Sequence, residues 1–336
     1  MAHMTGRLVP SVAAEKARRL YPGLALCAVL AVAARFGAGQ VAAPAILLAL
    51  IGGLAFGAFG REEPFKAGMS FTTGFVLRVG IALLGVRIGV EQFQAVGPAI
   101  SGLVLLAVPL TVLMTLALGR LLGQSVGPGL VAGSAVAVCG ASAALAVAAA
   151  LPRHLISEAH VAVVVIGVTA LGTVSMLVYP FMGEWLGVAA VPLGLFLGAA
   201  IHDVAQAVGA GFMVSSAAGD AATITKLLRV SMLIPLVLVI AWVFRKDSAG
   251  HWQMPWFLFG FAAIAGLNSA GLIHESLRVT LESLSGWCLL IAMAGLGMKT
   301  SFTALLRIGW RPLAQLVGSS LLLAATVLVG LLLWQP

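Results

Sequence analysis

The chain has 336 residues, of which 61% are hydrophobic and only 9% are charged, and its formal net charge is +8. Soluble globular proteins carry about 25% charged residues, so this composition excludes an ordinary soluble domain. Apolar stretches long enough to cross about 30 Å of hydrocarbon recur along the chain, without the alternating segments of an outer-membrane barrel. We therefore predict an all-α polytopic membrane protein. We attribute its basic excess to membrane orientation rather than to nucleic-acid binding.

Residues 1–21 are predicted to form an N-terminal cytoplasmic or interfacial segment, and residues 22–336 a single transmembrane domain. No linker is long enough to hold a separate soluble domain. Ten spans are the alternative to eleven, if the first apolar segment is re-entrant. The eleven predicted spans lie near residues 22–38, 41–60, 68–90, 97–121, 128–150, 159–181, 191–215, 221–244, 255–273, 279–299 and 310–334.

The placement of lysine and arginine predicts the orientation of these spans. With eleven spans, most basic residues near span ends fall on one side, which would be the cytoplasmic side. This places the N-terminus in the cytoplasm and the C-terminus outside. The residues on that side are Lys16, Arg18, Arg19, Arg61, Lys66, Arg120, Arg245, Lys246, Arg307 and Arg311.

Two internal similarities suggest repeats. LGVRIGVEQF (84–93) resembles LGMKTSFTAL (296–305), and these segments lie seven spans apart, so they point in opposite directions, as inverted repeats require. AVCGASAAL (137–145) resembles AIHDVAQAV (200–208), but those spans are two apart and parallel. One duplication cannot explain both pairs, and we favour the first because it is longer.

The stretch GLVAGSAVAVCGASAALAV (129–147) contains no charge and few large side chains. Glycine tolerates unusual backbone angles and favours helix poorly, so we predict a break at Cys139–Gly140. A half-helix starting at Ala141 or Ser142 would direct free N–H groups inward and attract an anion. Ser142 could cap it or donate to a ligand. The alternative is a close-packing face of small residues.

The stretch GLFLGAAIHDVAQAVGAGF (194–212) places Gly194, Gly198, His202 and Gln206 at intervals of four residues. This spacing predicts one shared helix face. Asp203 follows His202, and an intramembrane His–Asp pair is a candidate proton relay. The alternative is a structural polar cluster that joins two helices.

Several cations and one amide also fall within predicted spans. Arg78 lies roughly 14 Å from either end of its span at 1.5 Å per residue, so it needs a buried partner or a wet cavity. The alternative for Arg78 is a structural salt bridge, with Asp203 as partner. Interfacial anchoring is the alternative for the cations nearer to span ends. Those cations are Lys226, Arg229 and Lys299, and the polar residue of the ninth span is Asn268.

The motifs of common enzyme classes are missing from the sequence. It contains no Walker loop, HExxH, CxxC or Gly-x-Ser-x-Gly segment, and its acidic residues sit mostly at span ends. Cys139 is the one candidate nucleophile, but no base lies near it in the sequence. We therefore predict no enzyme activity, no metal site and no cofactor.

The segments AVCGASAALAV, AIHDVAQAVGAG and KLLRV (226–230) together resemble the YeiH-like family of bacterial inner-membrane proteins, which carries a sulfate-exporter label. The similarity extends over nearly the whole chain from about residue 22. The resemblance implies a distant relation to bile-acid symporters and cation/proton antiporters, and hence a scaffold domain and a core domain. It further implies an extra first span, inverted repeats at 41–181 and 191–334, and a homodimer. The broken, crossing helices would be the fifth span, at Cys139–Ser142, and the tenth, at Gly295–Lys299.

Together these features predict a secondary transporter of small anions that works by alternating access. The family resemblance implies that the anion is sulfate, sulfite or an organosulfonate and that the protein is an exporter. Its partners would be the anion and the lipid bilayer, without nucleic acid. An anion channel or a membrane ligand sensor is the alternative. His202 and Asp203 would couple transport to protons, because sodium would find few acidic ligands. The residues predicted to bind the anion are Cys139, Gly140, Ala141, Ser142, Arg78, His202, Asp203, Gln206, Lys226, Arg229, Asn268 and Lys299.

Overall fold

The structure is a computed structural model that describes residues 12–40, 43–88, 90–152, 154–244, 256–300 and 309–333. These residues form helices and connecting turns and contain no β-strand. A π-helical turn, Thr72–Val76, joins α3 to α4, and 3-10 turns occur at Phe59–Arg61 and Leu84–Arg87. The α-helices are α1 Val12–Gly37, α2 Ala45–Ala55, α3 Glu63–Phe71, α4 Leu77–Leu83, α5 Val90–Leu121, α6 Val126–Ala137, α7 Ala141–Ala150, α8 Glu158–Trp185, α9 Ala190–Ala200, α10 Val204–Val214, α11 Ser216–Ser231, α12 Leu233–Val243, α13 Trp256–Ser269, α14 Glu275–Lys299 and α15 Trp310–Leu333.

Seven helical segments in the described residues are long and apolar enough to cross a membrane. Six shorter apolar helices accompany them, and four of these are consecutive pairs, α6–α7 and α9–α10. The predicted multi-pass, all-α membrane protein is therefore confirmed. The count of eleven spans and the inverted repeats remain predictions, because α2, for example, covers only about 16 Å at 1.5 Å per residue.

The structure can be compared with two of the predicted segment boundaries, at residue 97 and at the N-terminal segment. The span predicted to begin at residue 97 starts at a kink inside α5, where Gly97 has φ 71° and Pro98 follows. Proline suits the first turn of a helix because its missing N–H would lack a helical partner there. At the N-terminus, α1 begins at Val12 and continues into the first span without interruption. Residues 1–11 lie outside the described residues.

The tenth predicted span differs from the expectation drawn from the resemblance. α14 is a continuous α-helix that runs through Gly295 and ends at Lys299. The predicted interruption within 295–299 is therefore wrong. Gly295 packs near the side chains of Cys27 and Thr73, so it serves a close helix contact instead of a break.

The chain divides into two compact units, and the first comprises the residues up to Arg78 together with 287–299. Glycine contacts bring its helices close together. A Cβ on Gly23 of α1 would lie 2.2 Å from the Phe65 carbonyl oxygen of α3. A Cβ on Gly53 of α2 would lie 2.1 Å from the Ala294 carbonyl oxygen of α14. Such small residues let backbones approach where lipid offers no hydrophobic driving force.

The second unit comprises residues 79–286 and 300–336, of which the described part holds α5–α13, α15, most of α4 and residues 275–286 of α14. Helix α11 packs against α5, α9 and α10, and α15 packs against α5, α6, α8 and α9. A Cβ on Gly194 or Gly198 would lie 2.3 or 2.4 Å from the carbonyl oxygen of Ala218 or Ala222 on α11. The glycines of α9 therefore allow its backbone to pack directly against the backbone of α11.

Candidate functional site

The fifth predicted span is interrupted in the structure where the sequence predicts. α6 ends at Ala137, Val138 has non-helical angles (φ −116°, ψ −85°), and α7 begins at Ala141. Gly140 has φ 62° and ψ −126°, a conformation that residues with a Cβ rarely adopt. The predicted break at Cys139–Gly140 is confirmed.

The start of α7 carries no side-chain cap. Gly140 occupies the N-cap position and has no side chain to offer, while Ser142 lies in the first turn and is exposed. The prediction that Ser142 caps the helix is therefore wrong, because Ser142 lies two residues inside it. Cys139 is buried beside the break.

A second interruption separates α9 from α10. Ile201 and Asp203 are extended, and the Asp203 carboxylate accepts a hydrogen bond of 2.9 Å from the Ala205 N–H, capping α10. The prediction that Gly194, Gly198, His202 and Gln206 share one continuous helix face is wrong for this reason. An aspartate that bonds the backbone two residues on competes with helix formation at its own position.

The two interruptions lie next to each other. A Cβ on Gly140 would lie 3.9 Å from both the Cα and the Cβ of Asp203. The segments AVCGASAAL and AIHDVAQAV thus share a structural feature as well as a sequence similarity. Four broken ends meet in one place, and each would leave backbone groups without helical partners.

Lys226 bridges the two interruptions from α11. Its side chain is fully buried, and Nζ donates to the carbonyl oxygens of Val138 and Ile201, each at 2.7 Å. These acceptors lie just past the C-termini of α6 and α9, where the helix dipole favours a cation.

Arg229, one turn further along α11, binds the same two helix ends. Its Nε and Nη2 donate to Ala137 and Val136 of α6, and its Nη1 donates to Ala199 and Ile201 of the α9 end, over 2.5–3.0 Å. Arg229 and Lys226 are both 0% exposed, so interfacial anchoring is wrong for them. Their positive charges instead satisfy carbonyl groups that the broken helices leave free.

His202 and Gln206 connect the second interruption to neighbouring helices. His202 Nε2 lies 2.7 Å from the Ser320 hydroxyl on α15, and Gln206 Nε2 donates to the Thr169 carbonyl and the Thr173 hydroxyl on α8, both at 3.0 Å. The sequence interpretation did not single out Ser320, Thr169 or Thr173. Their signal is a hydroxyl inside an apolar span, which commonly bonds across helices.

Several buried polar atoms in this region have no hydrogen-bond partner among the described residues. They are His202 Nδ1, Gln206 Oε1, Ser134 Oγ and Ser319 Oγ, together with Gln124 Nε2. A buried polar atom without a protein partner is uncommon. Within the described residues, no group of three His, Cys, Asp or Glu side chains could hold a metal ion.

The other predicted site residues belong to other helices of the chain. Arg78 is half-buried and ends the first unit, so its predicted pairing with Asp203 of the second unit stays a prediction. The Lys299 ammonium, also in the first unit, donates to the Thr73 hydroxyl at 3.2 Å. Asn268 is half-buried on α13, which packs against the turn Leu84–Arg87.

Comparison with known proteins identifies the family. Residues 22–316 match the family described as conserved hypothetical protein 698. The chain belongs to this family. Its membership fits the YeiH-like resemblance, which is thereby confirmed. No solved structure matches the chain.

Relatives within the family match over almost their whole length. UPF0324 membrane protein TauZ of Paracoccus denitrificans is 42% identical over 98% of this chain and 99% of its own. TauZ of Paracoccus pantotrophus is 43% identical over 93% of this chain and 94% of its own. UPF0324 membrane protein CT0845 of Chlorobaculum tepidum is 40% identical over 94% of this chain and 90% of its own. These relatives are named as membrane proteins, which agrees with the multi-pass architecture.

Proposed function

We propose that the protein is a secondary transporter that exports small anions such as sulfate, sulfite or a small organosulfonate across a bacterial inner membrane. The observation that carries this proposal is the meeting of two interrupted helices around the buried cations Lys226 and Arg229. Interrupted helices in a membrane are tolerated where they are buried in protein or line a water-filled cavity, and transporters place their substrate sites at such breaks.

The start of α7 supplies the anion-binding groups in this proposal. Gly140, the N-cap residue, has no side chain to bond the backbone N–H groups of Ala141 and Ser142, and Ser142 is an exposed residue. A helix N-terminus offers both N–H donors and the positive end of the dipole. In this proposal a small ligand approaches the start of α7 past Cys139 and Gly140, neither of which has a bulky side chain.

The two buried cations have different roles. All five N–H groups of Arg229 can be assigned to the carbonyl oxygens that it contacts, so Arg229 acts through its charge and holds the helix ends. Lys226 has three N–H groups and donates two of them to Val138 and Ile201. The third is left for a ligand, so Lys226 is the cation that binds the anion directly.

His202 and Asp203 provide the proton coupling. A proton on His202 adds a further positive charge beside Lys226 and Arg229, so it is best accommodated when an anion is bound nearby. Binding of the anion and binding of the proton then favour each other by the same factor, as thermodynamic linkage requires. Protonation of Asp203 would act in the same sense by removing a negative charge beside Gly140.

The membrane potential favours export when the anion carries more charges than the protons that move with it. A potential that is negative inside drives net negative charge outward with about 2.3 kcal/mol per charge at 100 mV. Arg78, Lys299, Gln206 and Asn268 are proposed as further contacts for the substrate during the transport cycle. The homodimer is likewise part of this proposal.

Flux measurements in proteoliposomes test the proposal. Efflux of labelled sulfate and sulfite would be compared for the wild type, Lys226→Met, His202→Ala and Arg78→Ala. Lys66→Met serves as the control, because Lys66 is exposed and pairs with Glu63 on the same helix. We expect saturable flux that Lys226→Met abolishes and the control retains.

Three results would contradict the proposal. Equal flux in all variants would remove these side chains from the mechanism. Flux that never saturates and ignores a pH gradient would indicate a channel. Ligand binding without any flux, measured by thermal shift, would indicate a sensor.

A further inference from the structure

The hydrogen bond between His202 and Ser320 fixes which ring nitrogen carries the proton. The Ser320 hydroxyl lies 2.7 Å from the Leu316 carbonyl oxygen, one turn earlier on α15, and donates to it. A hydroxyl has one hydrogen, so Ser320 Oγ can only accept from His202 Nε2, which lies 2.7 Å away. His202 must therefore carry its hydrogen on Nε2.

The opposite arrangement is less favourable. If Ser320 donated to Nε2, the hydrogen of the neutral ring would sit on Nδ1, which is buried and has no partner among the described residues. A buried donor without an acceptor is rarely tolerated, whereas a vacant acceptor is the milder defect. In the Nε2–H form, the His202 N–H donates to Ser320 and the Ser320 O–H donates to Leu316. Only the lone pair on His202 Nδ1 is then without a partner among the described residues.

We propose that Ser320 is a positioning residue for His202, whose hydroxyl holds the Nε2–H tautomer and so presents Nδ1 as the buried acceptor that takes up the transported proton. This inference rests on the proton coupling in the proposed function. Proton uptake from water forms an N–H bond at Nδ1 and gives an imidazolium, in which Nε2 still donates to Ser320. Release of the same proton to water on the other side restores the neutral ring.

The charged groups around His202 are few. Lys226 and Arg229 face it from α11, and Asp203 follows it in the chain. The Asp220 carboxylate on α11 is paired with Arg87 instead. Tyr179 of α8 packs on Phe196 of α9. The remaining ionisable groups on the described parts of α8 and α15 are exposed and lie near the helix ends: Glu158, His160, Glu184 and Arg311.

Two serines next to each other provide a matched test. Ser320→Ala removes the acceptor of Nε2, whereas Ser319→Ala removes a buried hydroxyl that has no partner among the described residues. Ser320→Thr keeps the hydroxyl, and threonines on α5, such as Thr111, already donate to the carbonyl four residues earlier, as Ser320 does. The threonine variant should therefore rescue what the alanine variant loses.

The first measurement is the tautomer of His202 by NMR of protein carrying isotope-labelled histidine. The sequence has six histidines, and the His202 signal is assigned by its loss in His202→Gln. We expect a pure Nε2–H form in the wild type, Ser319→Ala and Ser320→Thr, and its loss in Ser320→Ala. An Nδ1–H form in the wild type, or no change in Ser320→Ala, would overturn the proposal.

The second measurement is the pH dependence of anion flux in proteoliposomes. We expect Ser320→Ala to lose the pH dependence that the wild type, Ser319→Ala and Ser320→Thr show. An unchanged profile in Ser320→Ala would overturn the role of Ser320 in coupling. Absence of flux from the wild type would instead refute the proposed function, while the NMR result would still decide the tautomer.

Discussion

Lys226 and Arg229 show how a buried charge can be accommodated without a salt bridge. Neither has a carboxylate partner at salt-bridge distance in the described residues; both are surrounded by carbonyl oxygens at the ends of α6 and α9. Each oxygen carries a partial negative charge, and the aligned peptide dipoles of two helices add to it. The cations and the interruptions therefore stabilise each other, and neither would persist in the membrane interior alone.

Arg229→Met should destabilise the protein strongly. The variant leaves the carbonyls of Val136, Ala137 and Ala199 without their side-chain donor, and each buried group left unsatisfied costs about 1–3 kcal/mol. The melting temperature in detergent measures the effect. Arg278→Met is the control, since Arg278 is exposed and pairs only with nearby acidic residues, and it should change the melting temperature little.

Arg229→Lys should fall between the wild type and Arg229→Met. A lysine keeps the charge, but its compact ammonium cannot reach the ends of both helices as the guanidinium fork does. A melting temperature of Arg229→Met equal to that of the wild type would show that the carbonyls find other partners, and would contradict the bridging role.

At the scale of single elements, the interruption in the fifth span depends on one glycine. Gly140→Ala should destabilise the protein by about 1–3 kcal/mol, because φ 62° and ψ −126° are strained for a residue with a Cβ. Steric overlap adds little, since the new Cβ would be 3.9 Å from its nearest neighbours. The thermal denaturation midpoint in detergent measures the loss.

Gly102→Ala is the matched control for this prediction. Gly102 lies inside α5 with ordinary helical angles, and a Cβ added there would meet open space, so alanine should be neutral or slightly stabilising. Equal stability of the two variants would mean that the backbone at Gly140 relaxes without cost, so the break would not require glycine.

The two interruptions were not equally visible in the sequence. Glycine beside a run of small residues indicated the break at Cys139–Gly140, because the weakness is local to the backbone there. The break at Ile201–Asp203 was hidden by glycine and polar residues spaced four apart, which is also the pattern of a continuous helix. Its local signal was Asp203, an N-cap residue type that precedes an apolar run.

The partners of the buried side chains could not be predicted from the sequence. Lys226 lies 88 residues from one of its acceptors and 25 from the other, so only the tertiary packing of α11 brings them together. His202 and Ser320 are 118 residues apart. The composition predicted the all-α membrane fold because hydropathy acts residue by residue, whereas such contacts depend on the whole arrangement.

At the scale of the whole molecule, the residues around the two interruptions belong to one compact unit. They are Cys139, Gly140, His202, Asp203, Gln206, Lys226, Arg229 and Ser320. The elements that contain or flank them, α6, α7, α9, α10, α11 and α15, lie within residues 79–286 and 300–336. Arg78 and Lys299 belong to the other unit. The residues that the sequence interpretation assigned to one site therefore divide between two compact units.

The orientation of the chain can be tested with reporter fusions. An N-terminus in the cytoplasm and eleven spans place the C-terminus outside, so a C-terminal alkaline phosphatase should be active and a C-terminal green fluorescent protein dark. A fluorescent protein fused after Phe244, behind the eighth predicted span, should be bright. A bright C-terminal fusion would show an even number of spans or the reverse orientation, and would contradict this topology.

The dependence of both interruptions on α11 has a consequence for biogenesis. During synthesis, the segments around 138 and 201 are made before Lys226 and Arg229. Until α11 enters the bilayer, Lys226 and Arg229 cannot donate to the carbonyl groups that they later bind. Water or groups of the insertion machinery must then supply their hydrogen bonds. Nascent chains that stop short of residue 226 should therefore remain open to quality-control proteases, and maturation should begin once α11 has been inserted.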